Sequence, residues 1–148
     1  MSKHKKLTIE STHHVRDTCL CLHTQRAARA LARRFDEALR LLEITNGQFS
    51  LLMSLNRLDP PTIGNVADLL AMDRTTLTAN LKPLERRGLV KLGVDKTDRR
   101  IKRLTLTAKG TALLISALPV WKKEHMALER LLTGSDAARL RADLRAMS

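Results

Sequence analysis

Residues 73 to 106, DRTTLTANLKPLERRGLVKLGVDKTDRRIKRLTL, hold a capped helix, a glycine stop and two short alternating strands around a charged turn. Asp73 suits an N-cap, because its carboxylate can accept from the backbone N–H of Thr75 or Thr76 and its charge complements the positive end of a helix dipole. Leu77, Leu81 and Leu84 recur at i, i+4 and i+7, so they share one core-facing stripe. Arg74, Thr75, Thr78, Lys82 and Arg86 fall on the other side, which is therefore polar and basic. Gly88 suits a left-handed helix stop, with Leu89 placed against Leu84 as in a Schellman ending. Val90, Leu92 and Val94 then alternate with Lys91 and Gly93. Beyond the charged turn DKTDRR, Leu104 and Leu106 alternate with Arg103 and Thr105, which predicts a hairpin.

Immediately upstream, Thr62 is placed to cap a short helix carrying Ile63, Val66 and Leu70 inward, and Ala71-Met72 joins it to Asp73. A short helix, a tight turn and a second helix with an outward polar face give helix-turn-helix order. Asp59-Pro60-Pro61 ends the element before it, because proline lacks an N–H and restricts its predecessor. That element begins at a capping box, Thr45 with Gln48 three residues later, with Ile44 and Phe49 placed as a hydrophobic staple. Two residues work against local helix formation: Gly64 costs roughly 1 kcal/mol in propensity, and Pro83 predicts a kink near the end of the second helix.

Further out, Leu31, Phe35, Leu39 and Leu42 repeat at helical spacing in a run from Val15 to Leu42 without Gly or Pro, predicting one helix of about seven turns. On the other side, Thr107 opens a helix to about Leu132, carrying Leu114, Leu118, Trp121, Leu128 and Leu132 and a kink site at Pro119. Gly134 is expected to end it. Ser135 is expected to cap a terminal helix striped by Leu140, Leu144 and Met147. A long helix in a small protein exceeds what its own core can cover, so these outer helices predict packing on a partner subunit. Residues 1–14, with His4, His13 and His14 among lysines and threonines, read as a flexible arm.

DRTTLTANLKPLERRGLV followed by DKTDRRIKRLTLTAKG resembles the winged helix-turn-helix of the MarR family of bacterial transcriptional regulators. Asp73-Arg74-Thr75-Thr76 matches the family's recognition-helix opening. Leu84-Glu85 with Gly88-Leu89-Val90 matches its helix exit, and Asp98-x-Arg100 its wing signature. The resemblance covers about residues 15 to 148. It implies a mostly α fold with a small two-stranded β-wing, divided into an arm over 1–14, a helical dimerisation region over 15–44 and 107–148, and a winged helix-turn-helix over 45–106. It also implies a homodimeric repressor of a palindromic operator, relieved by a small-molecule or oxidant signal. Arg74, Thr75, Thr76, Thr78, Lys82 and Arg86 on the helix, with Lys96, Asp98, Arg99 and Arg100 in the wing, become the expected contacts to double-stranded DNA. By resemblance, Arg100 enters the minor groove with Asp98 holding its guanidinium in a fork-like ion pair, while Arg99 and Lys96 meet phosphates. One departure is Ala79, where many relatives carry an arginine, so their base preference does not carry over.

Composition points the same way. Lys plus Arg number 27 against 15 Asp plus Glu, a formal charge of +12, which favours a polyanion. A nucleic acid and an anionic membrane surface are the two partners to weigh. With Phe35, Phe49 and Trp121 as the only aromatic residues, the chain lacks the stacking platforms of single-strand binders, which leaves duplex DNA. A basic amphipathic membrane-surface protein is the alternative, opposed by the threonine-rich helix face and the hairpin. No apolar run approaches the roughly 18 to 20 residues of a bilayer span, and MSKHKKLTIE lacks a signal-peptide core, so a cytoplasmic protein is expected.

Cys19 and Cys21, with His23, form a candidate oxidant-sensing group, since Arg16, His23 and Arg26 could favour a thiolate. In a regular helix the two cysteines project about 200° apart and bridge poorly. The best-known hydroperoxide sensors of the family support their cysteine with tyrosines, and this chain has none, so small helix residues remain the other reading. The His13-His14 pair has no partner at metal-ligand spacing, so no metal or cofactor is expected. A glycine-rich phosphate loop, HExxH, or a nucleophile with a recognisable base is absent from the sequence, and no enzyme activity is predicted.

Overall fold

A computed structural model describes residues 7–148, among which there are seven α-helices and one antiparallel two-stranded hairpin. Two compact units are present, one ending at Arg34 and one running from Phe35 to Ser148. The boundary between them lies within α2.

In the N-terminal unit, Thr8 caps α1 (Ile9–Thr18) by accepting from the Ser11 N–H at 3.1 Å. The arm expected to be flexible over 1–14 is therefore helical from Ile9, with His13 and His14 inside the helix; His4 lies outside the described residues. Nor is there one helix from Val15 to Leu42. Cys19 leaves helical geometry at φ −68°, ψ 109°, and separates α1 from α2 (Leu20–Ala38). Two local bonds favour the break. The Thr18 hydroxyl donates to the His14 carbonyl at 2.6 Å, and the Leu22 N–H donates to Cys19 Sγ at 3.4 Å, so the thiol stands where a capping oxygen would.

The second unit takes up the last turn of α2, where Phe35 and then Leu39 enter the core. A 3-10 turn at Arg40–Leu42 ends on Glu43, at φ 56°. The predicted capping box opens α3 (Asn46–Ser54): the Gln48 N–H reaches Thr45 Oγ1 at 3.1 Å, and the Thr45 N–H reaches Gln48 Oε1 at 3.0 Å. Thr62 and Asn65 make the same reciprocal pair, both bonds at 3.1 Å, at the start of α4 (Ile63–Leu69). Helix α5 (Arg74–Arg86) follows and presents Leu77, Leu81 and Leu84 to the core, all but fully buried. Burial of each such leucine stabilises the fold by roughly 1.5–3 kcal/mol. Pro83 lies within α5 and Pro119 within α6, and neither proline divides its helix.

The end of α5 is a complete Schellman motif, with the Gly88 N–H on the Glu85 carbonyl at 2.9 Å and the Leu89 N–H on the Leu84 carbonyl at 3.0 Å. Gly88 has φ 71°, the left-handed geometry that favours glycine. Strand β1 (Val90–Val94) pairs with β2 (Lys102–Leu106) in the register Val90↔Leu106 to Val94↔Lys102. Helix α6 (Ala108–Glu129) starts against the same glycine, because Thr107 Oγ1 donates to the Gly88 carbonyl at 2.6 Å. It ends before the expected Leu132: Leu131 and Leu132 turn back onto Leu128 and Glu129 in i→i+3 bonds that tighten the last turn. Asp136, one residue after the expected Ser135, caps α7 (Ala137–Ala146) by accepting from the Arg139 N–H at 2.7 Å.

The core of this unit draws Leu39, Ile44, Phe49, Leu51 and Leu52 together with the α5 leucines, Leu89, Leu104 and Leu114. It fastens the back of α5 and the base of the hairpin to one scaffold. The outer faces of both are left in solvent.

Candidate nucleic-acid interface

The exposed side of α5 carries Arg74, Thr75, Thr76, Thr78, Lys82 and Arg86, as the leucine spacing requires. Their situations differ. Asp73 accepts from the Thr76 N–H at 2.8 Å and from the Thr76 hydroxyl at 2.8 Å, so Thr76 is committed to the helix cap. Those two bonds, the backbone one first, hold the Asp73 carboxyl below its ordinary range. Thr75, Lys82 and Arg86 are exposed. Arg74 is exposed too, but its guanidinium lies back over α4: a Cβ built on Gly64 would sit 2.8 Å from Arg74 Nη2.

A cleft of about 450 Å³ opens between α4, α5 and the hairpin, lined by Thr62, Gly64, Arg74 and Thr78 on one side and Arg100 and Lys102 on the other. Arg74, Thr78 and Arg100, named from sequence as contacts on two separate elements, share this one cleft. Lys82, Arg86, Lys96 and Arg99 are not on its walls.

In the wing, Asp98 meets Arg100 as a fork, Nε to Oδ1 at 3.3 Å and Nη2 to Oδ2 at 3.4 Å, and also accepts the Arg100 N–H at 3.0 Å. The Arg100 side chain remains 91% exposed, so the pair orients the guanidinium without withdrawing it. Lys96 and Arg99 project into solvent beside it.

Two residues that shape the wing were not singled out from sequence. The Asp95 carboxylate accepts from the Thr97 hydroxyl at 2.6 Å, from the Thr97 and Asp98 N–H groups at 3.1 and 3.0 Å, and from Arg103 Nε at 2.5 Å. The Thr97 hydroxyl most, then the Arg103 guanidinium and the two N–H groups, hold its carboxyl far below the usual carboxylate range. Arg103 also donates from Nη1 to the Pro60 carbonyl at 2.7 Å, and the Leu104 N–H reaches the Pro61 carbonyl at 2.9 Å. The Asx pattern D-x-T-D was the available signal for Asp95. Arg103 offered none, because its partners lie far away in sequence.

In the other unit, Cys19 is half-buried and Cys21 exposed, and both thiols are free. Cys21 Sγ accepts from Gln25 Nε2 at 3.1 Å, and His23 Nδ1 lies 2.8 Å from the Cys19 carbonyl oxygen. Because the helix breaks at Cys19, the regular-helix geometry that separates the two thiols does not apply. No grouping of three or more His, Cys, Asp or Glu suited to a metal, and no helix long and apolar enough to cross a membrane, occurs among the described residues.

Similarity to known proteins agrees with this geometry. The MarR family profile matches residues 44–102, which hold α3, α4, α5, β1 and the wing turn and reach the first residue of β2. The chain is similar to the Mycobacterium tuberculosis transcriptional regulator MosR, solved in complex with DNA, at 39% identity and a TM-score of 0.79, covering 87% of this chain and 92% of that one. It is 33% identical over 97 residues to the HTH-type transcriptional regulator TtmR of Methylorubrum extorquens, 66% of this chain and 50% of the relative, so it spans about half that protein's length. It is 28% identical over 101 residues to the organic hydroperoxide resistance transcriptional regulator of Bacillus subtilis, covering 68% of this chain and 69% of the relative.

Proposed function

We propose, from the premise that this chain belongs to the MarR family of DNA-binding transcriptional regulators, that it acts as a homodimeric repressor on an inverted-repeat operator in the cytoplasm. The observation that carries this reading is the cleft in which the exposed face of α5 and the Asp98-oriented Arg100 of the wing come together. A helix of this width fits the major groove, and an extended arginine beside it suits the narrow minor groove that flanks it. The formal charge of +12 adds sequence-independent attraction to phosphate.

Dimer formation is supported by apolar side chains left in solvent on and just beyond the outer helices, among them Ile115, Leu131, Leu140, Leu144 and Met147. Surfaces of that kind mark contact with a partner, and a second copy of the chain supplies the symmetry of a palindrome. A small-molecule effector would be largely apolar if it occupies the second cleft of about 410 Å³, where Phe49, Met53, Leu118 and Trp121 line the wall together with Ser50 and Ser54. The experiment is selection of genomic duplex fragments by the purified protein, with sedimentation of the free protein. Enrichment of one inverted repeat and a dimer at micromolar concentration are expected. A monomer that retains no duplex defeats the reading.

An oxidant is the second signal to weigh, and the interruption of the helix at Cys19 favours it. A peroxide would take two electrons from the two thiols and give water and an alcohol (or a second water), leaving a disulfide. The Sγ atoms of Cys19 and Cys21 would then give up the bonds from Leu22 and Gln25 that hold the first turns of α2. Peroxide should release DNA from the parent and not from Cys19→Ser. Retention of DNA after verified thiol oxidation leaves the cysteines with a structural part only.

A further inference from the structure

We infer that Gly64 is a positioning residue for Arg74, and that Arg74 grips a backbone phosphate together with Lys102, beside the wing arginine Arg100, instead of reading a base. This rests on the duplex-DNA reading above and assigns the cleft between α5 and the wing its ligand chemistry, a phosphodiester. The first observation is the closeness of Gly64 to Arg74. A Cβ at position 64 would lie 2.8 Å from Nη2 and 3.4 Å from Cζ, so the guanidinium occupies the volume that any other residue would fill. Glycine within a helix is locally unfavourable, and here its lack of a side chain opens a seat for a cation.

The second observation is the composition of the cleft. Arg74, Arg100 and Lys102 line it with the hydroxyl residues Thr62 and Thr78, and no carboxylate is on its wall. Arg74 and Lys102 add two positive charges beside the guanidinium that Asp98 orients, and the anion that a duplex offers between a major-groove helix and a minor-groove wing is the phosphate of its backbone. Arg74, lying over Gly64, is on the wall of that opening, and a guanidinium matches phosphate oxygens in a fork. Thr75, exposed and outside the cleft, is then left to meet base edges from this end of α5.

The test uses the full chain and a labelled duplex taken from a random-sequence pool by the parent protein, with single-base variants of it, titrated at several salt concentrations. Arg74→Ala should weaken binding to every variant by a similar factor and lower the salt slope by about 0.9 for one phosphate lost. Arg74→Lys should keep the slope. Gly64→Met should reproduce the Arg74→Ala slope, and the double variant should bind no worse than Arg74→Ala alone. Its thermal midpoint should equal or exceed the parent's, since methionine favours helix over glycine; should it not fold, the two Arg74 variants decide. A loss confined to one base pair with an unchanged slope for Arg74→Ala overturns the inference, as does a parent-like slope for a folded Gly64→Met. If the parent itself retains no duplex, the underlying function fails and not the assignment of Arg74 alone.

Discussion

Arg103 Nε lies 2.5 Å from Asp95 Oδ1, joining the end of the wing turn to its start across eight residues, while Nη1 of the same side chain holds the Pro60 carbonyl at 2.7 Å. One guanidinium therefore fixes both the shape of the wing and its attachment to the chain entering α4. Because Asp95 has its carboxyl held far below the ordinary range, its contribution to stability is complete above the unfolded value near pH 4 and is lost as pH falls further, toward the depressed folded value. Thermal midpoints of the parent and Asp95→Asn should differ at pH 7 and converge below about pH 4. A constant difference down to pH 3 would contradict this.

Gly88 is the position at which α5 gives way to the hairpin. At φ 71° an alanine pays for left-handed geometry, so Gly88→Ala should destabilise by about 1 kcal/mol, and Gly88→Asn by less. Denaturant midpoints at unchanged m-value measure it.

Gly110 has a steric requirement of another kind. A Cβ there would stand 2.2 Å from the Leu89 carbonyl oxygen, and the obstacle is backbone. Gly110→Ala should therefore cost roughly 1–3 kcal/mol or more, despite the better helix propensity of alanine. Denaturant unfolding that shows a gain in stability would mean that α6 can move away from the hairpin.

The parts of the fold visible in the sequence are those made by neighbours in the chain. Asp73 with Thr76, Thr45 with Gln48, and Gly88 with Leu89 and Leu84 all lie within five residues of one another, and each was readable as a cap or a stop. The same holds for Asp98 and Arg100. Arg103 and Pro60 are 43 residues apart, and no local pattern reveals such a bond. The break at Cys19 escaped because it has neither Gly nor Pro; a thiol and a threonine hydroxyl supply the competing bonds. Pro83 lies inside α5, where Leu81 and Leu84 on either side of it are buried. Gly64 looked unfavourable until the arginine lying over it was in view.

A two-fold dimer carries two equal reading heads, so nuclease footprints at saturation should show an inverted repeat with half-site centres about one helical turn, roughly 10 bp, apart. Protection of a single half-site would separate the DNA-binding role from the dimer.

Helix and wing are expected to act on one duplex, and Arg100 is the residue that decides it. Affinity of the parent and Arg100→Ala should be measured at two salt concentrations on a panel of single-base operator variants. Weaker binding of Arg100→Ala to every duplex and a salt slope lower by about one unit are expected, with little change in discrimination among the core half-site bases that the major groove presents. If Arg100→Ala binds the whole panel as tightly as the parent at both salts, the hairpin is a structural element and does not act on the duplex.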